Sequence, residues 1–180
     1  LVEVALSFLP GNAPRRIADL GTGSGAVALA IAWERPDCEV HATEISPAAL
    51  EVARSNGENL LPGRVVFHEG SWFDPLEGRF DLVVSNPPYI DSGDPHLEEG
   101  DVRHEPRSAL TPGGDGLSAI REIAENAQEY LLPGGRLTFE HGFDQGAAAR
   151  GILQELEYVE IETHQDLEKR DRVTTGKLKT

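Results

Sequence analysis

Short apolar runs alternate with helix-forming segments along most of the 180 residues, and this alternation constrains the fold more than any other feature. Strands are predicted at RRIADL, CEVHATEI, RVVFHEG, FDLVVS, RLTFE, YVEIETH and RVTTGKL, and helices occupy most of the intervals. Such alternation produces parallel βαβ units, with helices on both faces of the sheet and a ligand at the carboxyl ends of the strands. We therefore expect an α/β fold and a single domain over residues 1–180.

The composition is that of an ordinary soluble globular protein, with 39% hydrophobic and 26% charged residues. Cys38 is the single cysteine, which excludes an intramolecular disulfide bond and favours a reducing compartment, so we expect a cytoplasmic protein. No apolar run approaches the ~18 residues of a membrane span. The net charge of −15 argues against direct nucleic-acid binding and is compatible with a basic protein partner.

Two segments lie outside the regular alternation. The chain begins at Leu1 inside the helical pattern LVEVALSFL, and we expect that the start of a longer protein is missing. The segment from Asp91 to Gly116 is rich in Gly, Pro and charge, and it is too long for an ordinary connection. We interpret residues 91–116 as a loop on the substrate side of the site.

A glycine-rich turn, DLGTGSGA, joins the first predicted strand to the first long helix. Gly21, Gly23 and Gly25 allow a sharp turn and a close approach of the backbone to a ligand. The free N–H groups at the start of the helix favour an anionic group. Glu44 ends the second strand, where a carboxylate can accept hydrogen bonds from both ribose hydroxyls. Together these features predict a site for a cofactor that contains a nucleoside.

The spacing of the glycines narrows the choice of cofactor. No Gly-Lys-Ser/Thr sequence follows the turn, and the spacing is GxGxG rather than GxGxxG, which weakens the nucleotide and dinucleotide interpretations. S-adenosylmethionine fits, with its carboxylate on the loop N–H groups and its ribose on Glu44. Trp72, just after the third strand, is favoured as an adenine platform over a core residue. The alternative is a glycine turn that only packs the helix against the sheet.

The fourth strand ends in Asn86-Pro87-Pro88-Tyr89, a stiff segment with few donors. The Asn86 side-chain oxygen and the Pro87 carbonyl can converge on one planar NH2 group, on which Tyr89 can stack. Such an arrangement suits methyl transfer to an amide or amino nitrogen through positioning and electrostatics, without a strong base. The alternative is a proline-stiffened loop without a catalytic role.

The order of the motifs resembles that of the HemK-type release factor glutamine N5-methyltransferases, from about Ile17 to Lys177: DLGTGSGA, ATEISPAALEVARSN, GSWFDPL, SNPPYI, DVRHEPRSAL, DGL, LLPGGRLTFEHG and RDRVTTG. The resemblance implies a class I S-adenosylmethionine-dependent methyltransferase fold, Rossmann-like, with a seven-stranded, mostly parallel sheet. It also implies that the substrate is a glutamine in the Gly-Gly-Gln loop of a peptide chain release factor. The family carries an N-terminal helical domain, which we expect to be absent here.

The resemblance also implies roles for individual residues. The implied substrate-binding residues are Asn86, Pro87, Pro88 and Tyr89. The implied catalytic residues are Asn86, Pro87 and Tyr89. The implied cofactor contacts are Asp19, Gly21, Thr22, Gly23, Ser24, Gly25, Glu44, Ile45, Ser71, Trp72 and Asn86. Three positions depart from the family pattern. Glu44 and Ser71 stand where Asp is frequent, and Phe143 replaces a frequent Trp, which we interpret as a change in packing.

Two other methyltransferase classes remain open as alternatives. One methylates a glutamine of a ribosomal protein. The other methylates adenine in DNA and shares NPPY, but it should carry a basic surface and a domain for base recognition.

More than one role is open for several polar residues. Glu140 could orient Asn86 or the substrate glutamine, or cap the next helix, and His104 and Glu105 could shape the loop or anchor it. The six scattered His residues, at 41, 68, 96, 104, 141 and 164, have no paired spacing, and no metal site is expected.

Overall fold

The computed structural model describes residues 1–11, 13–89 and 116–180. The predicted substrate-side loop, with His96, His104 and Glu105, lies outside these residues except for Gly116. Within the described ranges, no helix is both long and apolar enough to cross a bilayer.

The described residues form one seven-stranded sheet. Its strands are β1 (Arg16–Leu20), β2 (Glu39–Glu44), β3 (Val65–Glu69), β4 (Phe80–Ser85), β5 (Leu131–Glu140), β6 (Val159–Gln165) and β7 (Asp171–Lys177). They lie in the order β3-β2-β1-β4-β5-β7-β6. The pairs from β3 to β5 are parallel, and β7 runs antiparallel to both β5 and β6. The predicted seven-stranded, mostly parallel sheet is confirmed.

Five described helices cover the two faces of this sheet. They are α1 (Val2–Ser7), α2 (Ala26–Glu34), α3 (Pro47–Leu60), α4 (Ser118–Tyr130) and α5 (Gly146–Glu155). One apolar core joins α1 and α2 to Ile17, Val40 and Leu82, and α3 extends this layer through Phe67. The other core joins α4 and α5 to Leu20 and Val83. Since neighbouring residues of a strand point to opposite faces, the central strands β1 and β4 contribute to both cores.

The start of α3 follows the capping signals in the sequence. Pro47 occupies the first turn, where its missing N–H is no loss, and the Ser46 hydroxyl accepts a hydrogen bond from the Ala49 N–H at 3.4 Å. Ser46 itself has extended backbone geometry, as expected of a residue before proline. The helix therefore begins directly after Glu44 and Ile45, and it fixes these two residues at the end of β2.

The start of β5 differs from the sequence prediction, which began the strand at Arg136. The preceding helix ends at Tyr130, and β5 begins at Leu131, which is fully buried and pairs with Phe80. Pro133 disfavours helical geometry at Leu132, so the chain is already extended there. The Pro-Gly-Gly sequence is then accommodated as an irregularity within the strand, with Gly134 at φ 79°.

The strand order reverses at β1, which pairs with β2 on one side and β4 on the other. The chain leaves β1 and β4 at the same edge of the sheet because the two strands are parallel. In open α/β sheets a ligand crevice forms at such a reversal. Both the glycine turn after β1 and the Asn-Pro-Pro-Tyr segment after β4 therefore lie at one site.

Candidate functional site

A cleft of about 720 Å³ opens at the carboxyl ends of the parallel strands, a size suited to a small cofactor. It brings together most of the predicted site residues: Asp19, Gly21, Thr22, Gly23, Ser24, Glu44, Ile45, Ser71, Trp72, Asn86 and Pro88. Gly25, Pro87 and Tyr89 do not line it. A Cβ on Gly25 would face Ala53, Leu29 and Phe67, so this glycine serves the packing of α2 on α3.

Asp19 is a buried carboxylate at the base of the cleft. Its Oδ2 accepts hydrogen bonds from the Thr22 hydroxyl at 2.6 Å and from the Ala28 N–H at 3.1 Å. Its Oδ1 is buried and has no hydrogen-bond partner among the described residues. Burial raises the pKa of Asp19 from 3.8 to about 6, despite the two hydrogen bonds that oppose the shift. The free oxygen therefore fits a ligand that carries a cation or an N–H donor.

Glu44 uses both of its carboxylate oxygens on backbone N–H groups, one in the glycine turn and one at the start of α3. Oε2 accepts a hydrogen bond from the Gly23 N–H and Oε1 accepts one from the Ser46 N–H, each at 2.9 Å. The Gly23 N–H, which we expected to be available to an anionic group, is thus already bonded. The Glu44 side chain lines the cleft from the end of β2, where it was expected to meet a ribose.

Trp72 forms a wall of the cleft and also contacts the core behind it. Its backbone is left-handed, with φ 39°, which is uncommon for a bulky residue. The ring lies so close to Gly21 that a Cβ there would come within 3.0 Å of the indole Cζ3. Gly21 itself has φ 66°, so both the backbone conformation and the space require glycine. Trp72 therefore both packs against the core and lines the cleft, and its role as an adenine platform stays a prediction.

Ser85 fixes the point at which β4 turns into the Asn-Pro-Pro-Tyr segment, because its hydroxyl donates to the Leu20 carbonyl at 2.8 Å. Asn86 follows it, exposed and facing the cleft. Its amide makes no side-chain hydrogen bond to any other described residue, so both polar atoms remain available to ligands. Pro87 is buried behind it, and Pro88 lines the cleft.

Tyr89 is held by Glu140, the last residue of β5, and by Gln145, which follows that strand. Its hydroxyl donates to Glu140 Oε1 at 3.2 Å, and its carbonyl accepts a hydrogen bond from Gln145 Nε2 at 2.9 Å. Burial, followed by the charge of Glu140, raises the pKa of the Tyr89 phenol, which keeps it protonated as the donor. The roles predicted for Glu140 did not include a hydrogen bond to Tyr89. The sequence analysis gave no role to Gln145.

Other residues contribute to the site without having been predicted. Ser118, Ala119 and Glu122 of α4 line the cleft. The apolar periodicity of α4 identified its buried face, but nothing in that pattern indicated which polar positions approach a distant glycine turn.

The loop after β5 contains two further side chains of interest. Phe143 is 59% exposed, so our interpretation of it as a packing change is wrong: the short turn carries the ring away from the core. His141 is fully buried, and its ring nitrogens lie 2.8 Å from the Gly142 carbonyl oxygen and 2.8 Å from the Thr174 hydroxyl. Burial lowers the pKa of His141, which is consistent with a neutral structural imidazole.

Metal ligation has no support in the described ranges, where no group of three or more His, Cys, Asp or Glu side chains could hold an ion. The arrangement instead combines a fixed carboxylate, a buried carboxylate and an available amide around one cleft.

Comparisons with known proteins identify a family for this chain. The model of the methyltransferase small domain family matches residues 2–117. The chain is 57% identical over 178 residues to the release factor glutamine methyltransferase of Xylella fastidiosa, covering 98% of this chain and 65% of that protein. It is 54% identical over 180 residues to the enzyme of the same name from Neisseria gonorrhoeae, with 98% and 65% covered. The chain thus spans just under two thirds of the length of these relatives.

Solved structures share the fold at low sequence identity. A methyltransferase from Pyrococcus furiosus superposes with a TM-score of 0.74 at 20% identity, covering 99% of this chain and 83% of that one. The N-methyltransferase NodS from Bradyrhizobium japonicum gives a TM-score of 0.62 at 16% identity, with 99% and 94% covered.

Proposed function

Since the chain belongs to the methyltransferase small domain family, we propose that it transfers a methyl group from S-adenosylmethionine to the side-chain amide nitrogen of a glutamine. The proposed substrate is the Gly-Gly-Gln loop of a peptide chain release factor, the protein class in the names of its 57% and 54% identical relatives. The observation that carries the proposal is the Asn86 amide, which has no hydrogen-bond partner among the described residues and lines the same cleft as Asp19 and Glu44.

The cleft residues fit S-adenosylmethionine by charge and shape. Glu44 holds two loop N–H groups and retains lone pairs that can accept from ribose hydroxyls. Asp19 Oδ1 is a buried anionic atom without a partner in the described part of the chain, and a cationic ligand would satisfy it. Trp72 offers a flat aromatic wall for adenine. When bound, this cofactor supplies a methyl group on a positively charged sulfur, which departs as a neutral thioether.

The Asn-Pro-Pro-Tyr segment then has to orient a weak nucleophile. An amide nitrogen shares its lone pair with its carbonyl, so it attacks only when it is held in line and its N–H groups are bonded. We assign the Asn86 side-chain oxygen and the Pro87 carbonyl as the acceptors of those two N–H groups. Both acceptors stabilise the positive charge that builds on nitrogen, and one N–H proton passes to solvent after transfer.

Two rival substrates share this chemistry. A glutamine of a ribosomal protein would present the same amide, and adenine in DNA would present a comparable NH2 group. The net charge of −15 opposes the approach of a phosphate backbone, so we place DNA last. No residue of the described site distinguishes the two glutamine substrates.

The test is methylation by the purified chain with a labelled methyl group in the cofactor. An intact release factor, its Gln→Ala variant in the Gly-Gly-Gln loop, ribosomal proteins and an adenine-containing duplex are offered separately. We expect one methyl group on the loop glutamine, found by mass spectrometry of the peptide, and no label in the Gln→Ala variant. Preferential label in a ribosomal protein or in DNA would overturn the proposed substrate.

The variant Asn86→Ala should remove most turnover, because it removes the acceptor that orients the nucleophile. The affinity for the cofactor should stay within roughly tenfold of wild type, or ~1.4 kcal/mol, as measured by calorimetry. Wild-type kcat in this variant would contradict the role of Asn86.

A further inference from the structure

The Asn-Pro-Pro-Tyr segment lacks the usual means of fixing a backbone. Pro87 and Pro88 have no N–H to donate, and β4 has already ended at Ser85. Hydrogen bonds to carbonyl oxygens and to side chains are therefore needed to hold the segment. Tyr89 is the first residue after the prolines, so its anchorage decides where the end of the segment lies.

Gln145 supplies such an anchor from the amino-terminal end of α5. Its Nε2 donates to the Tyr89 carbonyl at 2.9 Å, and its Oε1 accepts from the Gly142 N–H at 2.8 Å. The Gln145 N–H also donates to the Gly142 carbonyl at 2.9 Å, which closes the turn after β5. Both polar atoms of one amide are thus used, one on the turn and the other on the segment, so the side chain has a single favourable orientation.

Gly116 shows how little space surrounds this contact. A Cβ at Gly116, where φ is 72°, would lie 2.3 Å from the Tyr89 carbonyl oxygen and 2.8 Å from Gln145 Nε2. Only glycine allows the backbone to approach so closely. The Tyr89 carbonyl is therefore confined by Gln145 and by the backbone at Gly116, while its hydroxyl is bound to Glu140.

We infer that Gln145 is a positioning residue for methyl transfer. Through its hydrogen bond to the Tyr89 carbonyl it fixes the carboxyl-terminal end of the Asn-Pro-Pro-Tyr segment, and so the position of the substrate amide that receives the methyl group. This inference rests on the proposed function. Gln145 does not line the cleft in the described structure, so it should act on the acceptor side and leave the cofactor untouched. Glu140 fixes the other end of the same tyrosine, so the two residues should act together.

The first arm compares Gln145→Glu with Gln154→Glu. The former keeps an acceptor for the Gly142 N–H but replaces the donor to Tyr89 with an oxygen, which repels the carbonyl. The latter makes the same chemical change at an exposed position of the same helix. With an intact release factor, we expect Gln145→Glu to lower kcat at least tenfold, with cofactor Kd within twofold and with an unchanged far-ultraviolet spectrum. Gln154→Glu should behave as wild type.

The second arm does not depend on the substrate. The chain has three tyrosines, so incorporation of 3-fluorotyrosine gives three fluorine signals, and Tyr89→Phe identifies that of Tyr89. We expect Gln145→Glu to shift or broaden the Tyr89 signal while the other two signals stay in place. Gln154→Glu should leave all three unchanged.

The two arms separate the possible failures. If the wild type methylates no release factor but the Tyr89 signal responds to Gln145→Glu, the proposed substrate fails and the anchoring role stands. If the Tyr89 signal is unchanged, or if kcat stays at the wild-type value, the inference is wrong. A general loss of folding would change all three signals together and lower the cofactor affinity, and that result also rejects a specific positioning role.

Discussion

Glu44 combines two tasks in a single side chain, since it braces the glycine turn and faces the cleft. Glu44→Gln should leave only one full acceptor for the two backbone N–H groups and weaken any bond to a ribose. We expect a loss of ~1.5–3 kcal/mol in cofactor affinity, roughly 10- to 150-fold in Kd. These contacts are the same before and during the reaction, so kcat at saturating cofactor should change little.

Calorimetry and steady-state kinetics check the prediction for Glu44, with Glu51→Gln at an exposed position of α3 as the matched control. A large fall in kcat at saturating cofactor would instead assign the carboxylate to the chemical step.

Asp19 should make stability depend on pH, because burial raises its pKa from 3.8 to about 6. Below pH 4 the group is protonated in both the folded and the unfolded chain and carries no penalty. As the pH rises from the unfolded pKa of 3.8 to the folded pKa of about 6, the unfolded chain ionises first, so folding loses stability by ~3 kcal/mol in all. Asp19→Asn lacks this charge and can still accept from Thr22 and Ala28.

Urea unfolding of wild type and Asp19→Asn across pH 4–8 measures this difference directly. The free energy of unfolding of the variant should increase relative to that of the wild type as the pH rises to about 6. Above that pH the difference between the two should stay constant. Asp37→Asn, at an exposed turn, should show the same pH dependence of the free energy of unfolding as the wild type. A difference between wild type and Asp19→Asn that does not change with pH would refute the assignment.

Two glycines inside helices show how packing decides the effect of one chemical change. Gly151 of α5 has open space where a Cβ would stand, whereas a Cβ on Gly57 of α3 would lie 2.7 Å from Phe67 Cε2. The Phe67 ring is also confined by Gly25, so it has little room to move. Gly151→Ala should therefore stabilise the protein by ~0.5–1 kcal/mol through helix propensity. Gly57→Ala should destabilise the protein by about 1 kcal/mol, because the cost of overpacking against Phe67 exceeds the gain in helix propensity.

Chemical denaturation of the two variants and the wild type measures whether the free energy of unfolding rises for Gly151→Ala and falls for Gly57→Ala. Equal stabilisation by both substitutions would mean that the Phe67 ring moves aside for a methyl group at position 57 at little cost.

Individual elements could be located from sequence wherever their signals are local. Ser46-Pro47 before α3 and the apolar residues at helical spacing in α4 are local signals of this kind. The strands that end at Glu44 and before Asn86 were placed within a residue or two. The start of β5 was missed, because Leu131 is extended through a pairing with Phe80 that lies far away in the chain. Gln145 was missed for the same reason, since its partner is the carbonyl of Tyr89 and no local pattern indicates it.

For the molecule as a whole, the described cofactor half lies largely within residues 19–72, and the strand order brings it against Asn86. The glycine turn and the acid after β2 were sufficient to predict that these residues line one cleft, and their contacts with a cofactor stay a prediction. They could not predict that Glu44 already satisfies the Gly23 N–H, because that contact depends on how far β2 is staggered against β1.

Cofactor binding should stabilise the entire chain, because only the folded state assembles this cleft. With S-adenosylmethionine at about 100 times its Kd, the gain is ~2.7 kcal/mol, which raises Tm by roughly 5–10 °C for a chain of this size. NAD serves as the control nucleotide in the same thermal scans and should leave Tm unchanged. A larger shift with NAD would reject the proposed cofactor.

The position of β7 between β5 and β6 has a consequence for biosynthesis. A nascent chain emerges from the ribosome with its amino-terminal end first, so β5 and β6 are exposed before the strand that joins them exists. Glu140, the partner of Tyr89, gains its sheet neighbour Val173 only when the last described strand has been translated. The residues before β5 can thus take shape early in translation, whereas the sheet around Glu140 is complete only after β7 has been translated.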